Sequence, residues 1–365
     1  MEPRPPTRRR TSLGAGLGLA LAGLAAGLLL LEAATRVLGL HFPAISRPEL
    51  ADGGLWVHDR TKGWFHAPGS RGRTFLGGPD RAEVRINSLG LRGPEPARPR
   101  PPGLRRVLVM GDSYVFGVGV DEEHLFTTRL ARRLSREGAP VEVVNAGVSG
   151  YANDQQLVLL GEIGPALLPD VVVLVMCDND FEGNGESFSY QQYYKPHFDL
   201  DGGRLLLRGV PVPRLTPAQR LRRFLGQRSN VWNLVRSRRA SWPPARRLIE
   251  SLEVDVTRPP AADEVELAAA LVVAQRDLAQ RLGARFLTLN TARRRERTEL
   301  FHALRPRLKS AGVEYLGLEG PLEAGRRRRP EWPWDFATDP HWNVAAHRLA
   351  AEVVTEELEK RGWLR

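Results

Sequence analysis

The sequence predicts an α/β protein: a parallel sheet covered by helices on both faces, preceded by one transmembrane helix. Three observations carry this. From Arg106 to the C-terminus, short apolar runs alternate with amphipathic stretches, the grammar of strand, crossover helix, strand. One run, Val171 to Met176, is apolar at every position, as a strand buried on both faces must be. Leu13 to Leu31 is an uncharged stretch of Leu, Ala and Gly that, at 1.5 Å per helical residue, spans roughly the ~30 Å hydrocarbon layer.

Composition excludes several classes first. The chain has 365 residues, 42% hydrophobic and 26% charged, with 36 Gly, 28 Pro and one Cys, so collagen-like, wholly disordered and disulfide-scaffold readings fall away. The formal charge of +11 comes almost entirely from Arg spread through every segment. Clusters such as Arg293-Arg294-Arg295 and Arg326 to Arg329 carry no aromatic interleaving or zinc-ligand spacing, and no nucleic-acid partner is expected. Cys177 alone can form neither an intramolecular disulfide nor a thiolate metal site.

Residues 1–11 form a basic tail with Arg4, Arg8, Arg9 and Arg10, and 12–32 form the anchor. The Arg excess before the apolar run predicts a cytoplasmic N-terminus and an extracytoplasmic remainder, periplasmic or on the outer face. A cleaved signal peptide is the alternative, but its apolar region is usually ~7–15 residues long and ends in a small-residue site, whereas here Glu32 ends the run. Residues 33–104, rich in Pro, Gly and Arg, read as an irregular lead-in with short strand-like pieces such as Ala82 to Ile86.

The α/β domain is expected over 105–362. Val107–Met110 is the first strand, followed by a helix around Leu125, Leu130 and Leu134; then come a strand at 141–144, a helix near 155–167 and the strand at 171–176. An insertion at about 181–262 holds a hairpin, 198–200 with 205–207 across Asp201-Gly202-Gly203, and one basic amphipathic helical stretch from Pro217 to Arg239. Helices at about 263–282 and 298–311 alternate with strands at 286–289 and 313–316, and a last helix runs from Asn343 to Arg361 before Gly362.

In such a sheet ligands bind beyond the carboxyl ends of the strands. Four loops there carry unusual polar residues. Gly111-Asp112-Ser113-Tyr114 follows the first strand, where Ser113 either presents its hydroxyl and N–H to a carbonyl or, like Asp112, caps a helix. Asn145 to Tyr151 carries Gly147 and Gly150, a close approach for backbone donors or an ordinary turn. Cys177-Asp178-Asn179-Asp180 ends the most buried strand, where Asn179 can aim its amide at an oxyanion or form a turn. Asp339-Pro340-His341 lies on the loop before the last helix; Asp339 either fixes the His341 tautomer or caps that helix. Dinucleotide and P-loop motifs fail, because Gly117-Val118-Gly119 meets Glu122 where a third Gly is needed and no Gly-Lys-Ser/Thr follows.

Taken in order, Ser113, Gly150, Asn179 and Asp339/His341 resemble the four blocks of the SGNH, or GDSL-like, hydrolase superfamily over about residues 84–361, including the approach Asn87 to Gly93. The resemblance implies a three-layer α/β/α fold with a flavodoxin-like parallel sheet. It implies Ser113 as nucleophile, His341 as base, Asp339 as its orienter, and an oxyanion hole formed by the Ser113 N–H, the Gly150 N–H and the Asn179 side chain. Tyr114 replaces the Leu of the namesake motif, a position outside the chemistry, and the last block is Asp-x-His where many members have Asp-x-x-His. The Asp-x-His-Trp spelling is similar to cell-surface polysaccharide O-acetylation proteins of the superfamily.

The implied function is a membrane-anchored serine esterase or acylhydrolase working through an acyl-serine intermediate on an ester substrate, acylated carbohydrates and lipids included. An O-acyltransferase for an envelope or exported polysaccharide is the alternative. A non-catalytic glycan-binding module is disfavoured by the intact Ser, Gly, Asn and His set. No cofactor and no metal are implied. If the apolar segment is an uncleaved anchor, the protein stays in the membrane pellet after a carbonate wash, and residues 33–365 become accessible to protease only when the outer barrier is opened; recovery of a soluble form beginning near residue 35 would identify a cleaved signal.

Overall fold

A computed structural model of the chain describes residues 13–40, 51–52, 54–75, 81–135, 140–189, 193–238, 264–293, 297–336 and 339–364. The chain divides into two compact units, Met1–Ser46 with Thr216–Val254, and Arg47–Leu215 with Asp255–Arg365. Helix α1 (Leu13–Val37) opens the first unit; its span Gly14–Val37 is long and apolar enough to cross a membrane, and its most apolar stretch has mean hydropathy 2.1 and is not buried in the protein.

The second unit begins with short antiparallel strands. Strands β1 (Ala51–Asp52), β2 (Trp56–Asp59), β3 (Gly63–His66), β4 (Arg71–Phe75) and β5 (Arg81–Arg85) form a β2–β3 hairpin and a β1-β4-β5 sheet. This stretch is therefore more ordered than the irregular lead-in that the sequence suggested. Strands of two to five residues are too short to display an alternation, and their apolar members are satisfied only in three dimensions. Trp64 joins the main core, while Leu55, Val84 and Ile86 pack with Phe116 and Val118 beside the first strand-end loop.

Then follow β6 (Arg105–Gly111), α2 (Ser113–Phe116), α3 (Phe126–Leu134), β7 (Val141–Gly147), α4 (Asn153–Leu167), β8 (Val171–Met176) and α5 (Asn179–Gly183). The predicted hairpin is β9 (His197–Asp201) with β10 (Arg204–Arg208). The helical stretch expected from Pro217 to Arg239 is two helices, α6 (Pro217–Arg228) and α7 (Asn230–Ser237), both in the first unit. Ser229 breaks it: the residue is extended (φ −104°, ψ 117°), and its hydroxyl caps α7 by accepting from the Trp232 N–H at 3.1 Å. The remaining elements are α8 (Glu264–Arg281), β11 (Arg285–Asn290), α9 (Thr298–Ser310), β12 (Glu314–Leu316), α10 (Glu319–Arg328), β13 (Asp335–Phe336), β14 (Asp339–Trp342) and α11 (Val344–Arg361).

The central sheet is five-stranded and parallel, in the order β12-β11-β8-β6-β7. Counted by appearance, this is the flavodoxin-type order, with the three-layer α/β/α architecture that the sequence implied. Alternate side chains of each strand feed opposite cores. Leu108, Met110, Val172 and Leu174 pack with Leu159 of α4, Val272 of α8 and Phe301 of α9, whereas Val107, Val109, Val171 and Val173 pack with Leu130 of α3 and Val354 of α11. Both faces of β8 are thus covered, which explains its unbroken apolar run. The chain leaves β6 toward β7 and leaves β8 toward β11, so the switch point of the sheet lies at the carboxyl ends of β6 and β8, where a crevice must open.

Two glycines separate a packing requirement from a mere preference. A Cβ on Gly147, at the end of β7, would lie 2.2 Å from the Phe116 backbone nitrogen and 2.7 Å from the Val115 carbonyl carbon, whereas one on Gly161 in α4 would meet only Leu278 Cδ2 at 3.9 Å. Gly147→Ala should therefore sharply lower the yield of folded protein or its thermal midpoint. Gly161→Ala should raise stability by about 0.5–1 kcal/mol, since a helix-interior glycine costs about that much relative to alanine. Urea unfolding of both variants checks the contrast.

Candidate active site

The first strand-end loop is built around a helix of four residues. Gly111 ends β6 where a Cβ would meet Val115 Cγ2 at 2.4 Å and the Val175 carbonyl oxygen at 3.0 Å, so the turn closes only without a side chain. Asp112 then caps α2, its carboxylate accepting the Tyr114 N–H at 2.9 Å. Ser113 occupies the first helical position, where its N–H has no intrahelical acceptor. The helix stops at Gly117, which adopts φ +83°.

The carbonyls at the far end of this helix are met by buried donors. Arg92 donates to the carbonyls of Phe116 (2.7 Å), Gly117 (2.7 Å), Val120 (2.6 Å) and Glu83 (3.0 Å). Burial pulls its guanidinium down to about 10, with Asp121 and Glu122 opposing. Asn145 on β7 donates from Nδ2 to the Val115 carbonyl at 2.8 Å and accepts the Gly147 N–H at 3.0 Å. The loop carrying Ser113 is consequently gripped from the sheet and from the lead-in segment.

Ser113, His341 and Asp339 are brought together. The Ser113 hydroxyl donates to His341 Nε2 at 2.7 Å, and His341 Nδ1–H donates to Asp339 Oδ1 at 2.5 Å. Asp339 Oδ1 also accepts the His341 backbone N–H at 2.9 Å. Half-burial pushes the Asp339 carboxyl up, but the His341 hydrogen bonds outweigh it and hold the group below its usual range. A carboxylate facing Nδ1 leaves the Nε2 lone pair toward the hydroxyl, the tautomer a general base requires. Capping of the last helix falls to Asn343, whose side chain accepts the N–H groups of Ala345 (3.0 Å) and Ala346 (3.3 Å).

Two sequence expectations need correction here. Asp339 and His341 are not on a loop of the main sheet: they lie in β14, which pairs antiparallel with β13 in a separate ribbon. A two-residue partner strand leaves no periodic signal. Tyr114, expected outside the chemistry, touches His341. Its ring stacks on the His341 imidazole with centroids 4.6 Å apart and planes at 22°, and its hydroxyl donates to the Pro340 carbonyl at 2.9 Å. Trp342, fully buried, completes the support by donating to the Thr291 carbonyl at 2.9 Å and meeting the Tyr114 ring in a T-shaped contact with centroids 5.5 Å apart.

Gly150 and Asn179 stand on the loops leaving β7 and β8. Gly150 adopts φ +76°, and its N–H donates to no described residue. Asn179 opens α5; its Oδ1 is buried without a hydrogen bond, and its amide has no partner among the described residues. The neighbours of Asn179 are fixed on both sides. Asp178 is paired with Arg293 at 2.5 Å and accepts the Arg297 N–H at 3.0 Å, while Asp180 accepts the Cys177 N–H at 3.0 Å. Burial, reinforced by the nearby Asp112 carboxyl, pushes Asp180 well above the ordinary carboxylate range, and burial raises Asp112 as well. Among the described residues, no group of three or more His, Cys, Asp and Glu could hold a metal ion.

Several of these residues had no functional signal in the sequence. Arg293 lies in one of several Arg clusters, Asn145 only opens the second strand-end loop, and Arg92 is visible only within the Asn87 to Gly93 approach.

With a serine, a histidine and a carboxylate in one hydrogen-bonded row, the comparison with known families is decisive. The family model for GDSL-like lipases and acylhydrolases matches residues 109–349. The chain belongs to this family. It is a GDSL-like serine hydrolase that acts on esters. Solved structures similar to it include the acetyl xylan esterase AlAXEase (15% identity, covering 69% of this chain and 99% of that one, TM-score 0.40). TesA shares 17% identity, covering 70% and 99%, with TM-score 0.39. A variant of Axe2, an acetyl-xylooligosaccharide esterase from Geobacillus Stearmophilus, shares 12%, covering 70% and 94%, with TM-score 0.39. None of the curated proteins matches the chain.

The stacking of Tyr114 on His341 generates a test. Tyr114→Leu, which restores the residue of the namesake motif, removes both the ring beneath the imidazole and the bond to Pro340. Loss of this support should lower kcat about 10–100-fold with KM nearly unchanged, because small misplacement of a reacting group is costly. Steady-state kinetics on an acetyl ester read the split.

Proposed function

We propose that this GDSL-like hydrolase cleaves its ester through an acyl-Ser113 intermediate, with His341 as general base, Asp339 as its orienter, and the Ser113 N–H, Gly150 N–H and Asn179 amide as oxyanion donors. The observation that carries the reading is the unbroken row from Asp339 Oδ1 through His341 to Ser113 Oγ, at 2.5 and 2.7 Å. The Ser113 proton passes to His341 Nε2 as Oγ bonds to the carbonyl carbon, and Asp339 stabilises the imidazolium. The negative charge collects on the former carbonyl oxygen, for which uncommitted N–H donors stand on the three strand-end loops. Collapse of the adduct expels the alcohol, which takes the proton from His341. Water, activated by the same histidine, then releases the acid and restores the serine.

The enzyme works, in our reading, outside the cytoplasm on the end of an uncleaved anchor, with residues 1–11 inside. The apolar length of α1 and the arginines before it support this. Its ester is an acylated carbohydrate or lipid. Transfer of the acyl group to a sugar hydroxyl uses the same intermediate and differs only in the acceptor admitted, so one experiment addresses both.

The full-length enzyme is incubated with an acetyl ester, with and without oligosaccharide, and free acetate and acetylated sugar are followed by mass spectrometry. Hydrolysis predicts acetate in both cases; acetylated sugar at the expense of acetate would make the enzyme a transferase. A fluorophosphonate probe should label the wild type and fail on Ser113→Ala, whose turnover should fall by several orders of magnitude. Asn179→Ala should lower kcat about 10²–10³-fold with KM little changed. Labelling that survives Ser113→Ala would move the nucleophile elsewhere, and a mainly KM effect would make Asn179 a substrate-binding residue.

A further inference from the structure

Helix α6 is turned inside out for a helix meeting water. Its outward face carries Leu221, 58% exposed, and Phe224, 52% exposed, while Arg222 and Gly226 are buried. Positions 217, 220, 221, 224 and 228 recur at helical spacing, so Leu221 and Phe224 lie on one stripe flanked by the exposed Arg220 and Arg228. The Arg228 guanidinium sits 5.1 Å from the Phe224 ring centroid. A scattered exposed leucine needs no explanation, but an apolar pair facing outward over a buried arginine does. The helix holds four arginines and no acidic residue, a charge complementary to an anionic surface.

The attachment of this helix to α1 supplies the second observation. Glu32 directly follows the uncharged run that ends at Leu31, and Arg36 lies one turn further on, paired with it at 2.8 Å. Together they clamp the junction between α6 and α7. Arg36 donates to the Arg228 carbonyl at the end of α6 (2.6 Å), and Glu32 accepts the Ser229 hydroxyl at 2.9 Å and the N–H groups of Asn230 and Val231 at 3.1 Å each. A cation thus meets the C-terminus of one helix and a carboxylate the N-terminus of the next, the favourable sense for both dipoles. If α1 spans the bilayer, this clamp fixes the end of α6 at the depth where hydrocarbon gives way to headgroups.

We propose that α6 is an interfacial helix, with Leu221 and Phe224 inserted among acyl chains at the surface of the bilayer that α1 crosses and Arg220 and Arg228 bound to anionic phospholipid headgroups. Interfacial helices bind by this combination of buried apolar area and attraction to anionic lipid. The inference rests on the proposed anchor. The insertion then acts as a collar on the anchor, giving the first unit a second grip on the membrane.

Nitroxide labels test it in the full-length protein, whose only native cysteine, Cys177, is buried. Phe224→Cys and, to preserve Phe224, Leu221→Cys are labelled separately, with Leu24→Cys in α1 and Arg204→Cys on the exposed hairpin as references. Each is reconstituted in phosphatidylcholine vesicles with and without phosphatidylglycerol. Collision with oxygen, which enters lipid, is compared with collision with a water-soluble nickel chelate. The expected result is an oxygen-to-nickel ratio at 221 and 224 several-fold above that at 204 and below that at 24, which falls without phosphatidylglycerol or in the Arg220→Gln, Arg228→Gln double variant. A ratio equal to that at 204 while position 24 reads as lipid overturns the interfacial helix and leaves the anchor standing. Shielding from both reagents means that protein covers the face and also overturns it. A ratio indifferent to lipid charge and to both arginines removes the headgroup contacts, and a water-like reading at 24 overturns the anchor and this inference together.

Discussion

The site depends on one buried cation. Arg92, 2% exposed, fills the space between the lead-in strands and the nucleophile turn, and its guanidinium satisfies four main-chain carbonyls. A helix of one turn cannot pair its own last carbonyls, and in a dry setting each unpaired group costs about 1–3 kcal/mol. Arg92 removes that cost and places positive charge at the helix C-terminus, where the dipole favours it. Without such a partner, α2 would have to lengthen or open toward water, and either change would move Ser113.

The other half of the site hangs on a different element of the same unit. His341 and Asp339 come from a two-stranded ribbon between α10 and α11, which owes nothing to the hydrogen bonding of the main sheet. Its position is set by side chains: the Tyr114 ring against His341, the Tyr114 hydroxyl on Pro340, and Trp342 buried against Tyr114 and bonded to Thr291. Tyr114 immediately follows Ser113 in sequence, so the element that carries the serine also holds His341. The same ring contact holds His341 against the turn that carries Ser113, 2.7 Å from its hydroxyl.

Behind the serine lies a layer of acids, of which Asp112, Asp178 and Asp180 are buried. Asp112 and Asp180 are fully buried, and burial favours their neutral forms, whereas Asp178 is held by two arginines and Asp339 by its histidine. Four carboxyl groups near one another would repel if all were ionised. Burial raises Asp112 and Asp180 while the His341 hydrogen bonds hold Asp339 low, the sense that favours the charged form at the carboxylate facing the imidazole.

The sequence by itself determined the elements whose signal is local. Repeated apolar runs located β6, β7, β8 and β11 within a residue or a few, and nineteen uncharged residues marked out α1. Each of the four polar blocks left an ordinary cap or turn open, and it was their joint order, through its resemblance to the GDSL-like superfamily, that pointed to Ser113, Gly150, Asn179, Asp339 and His341. Their assembly into a site was beyond local reading. The short lead-in strands, the β13–β14 ribbon and the break at Ser229 depend on partners distant in the chain, and strands of two to five residues leave little period to detect. Arg92, Asn145, Tyr114 and Arg293 have the composition of an ordinary loop or helix, and their roles follow from which carbonyl, ring or carboxylate the fold sets against them. Tertiary structure alone decided those partners, because a hydrogen bond or a stacked ring is a relation between two points in space, and the sequence specifies only one point at a time.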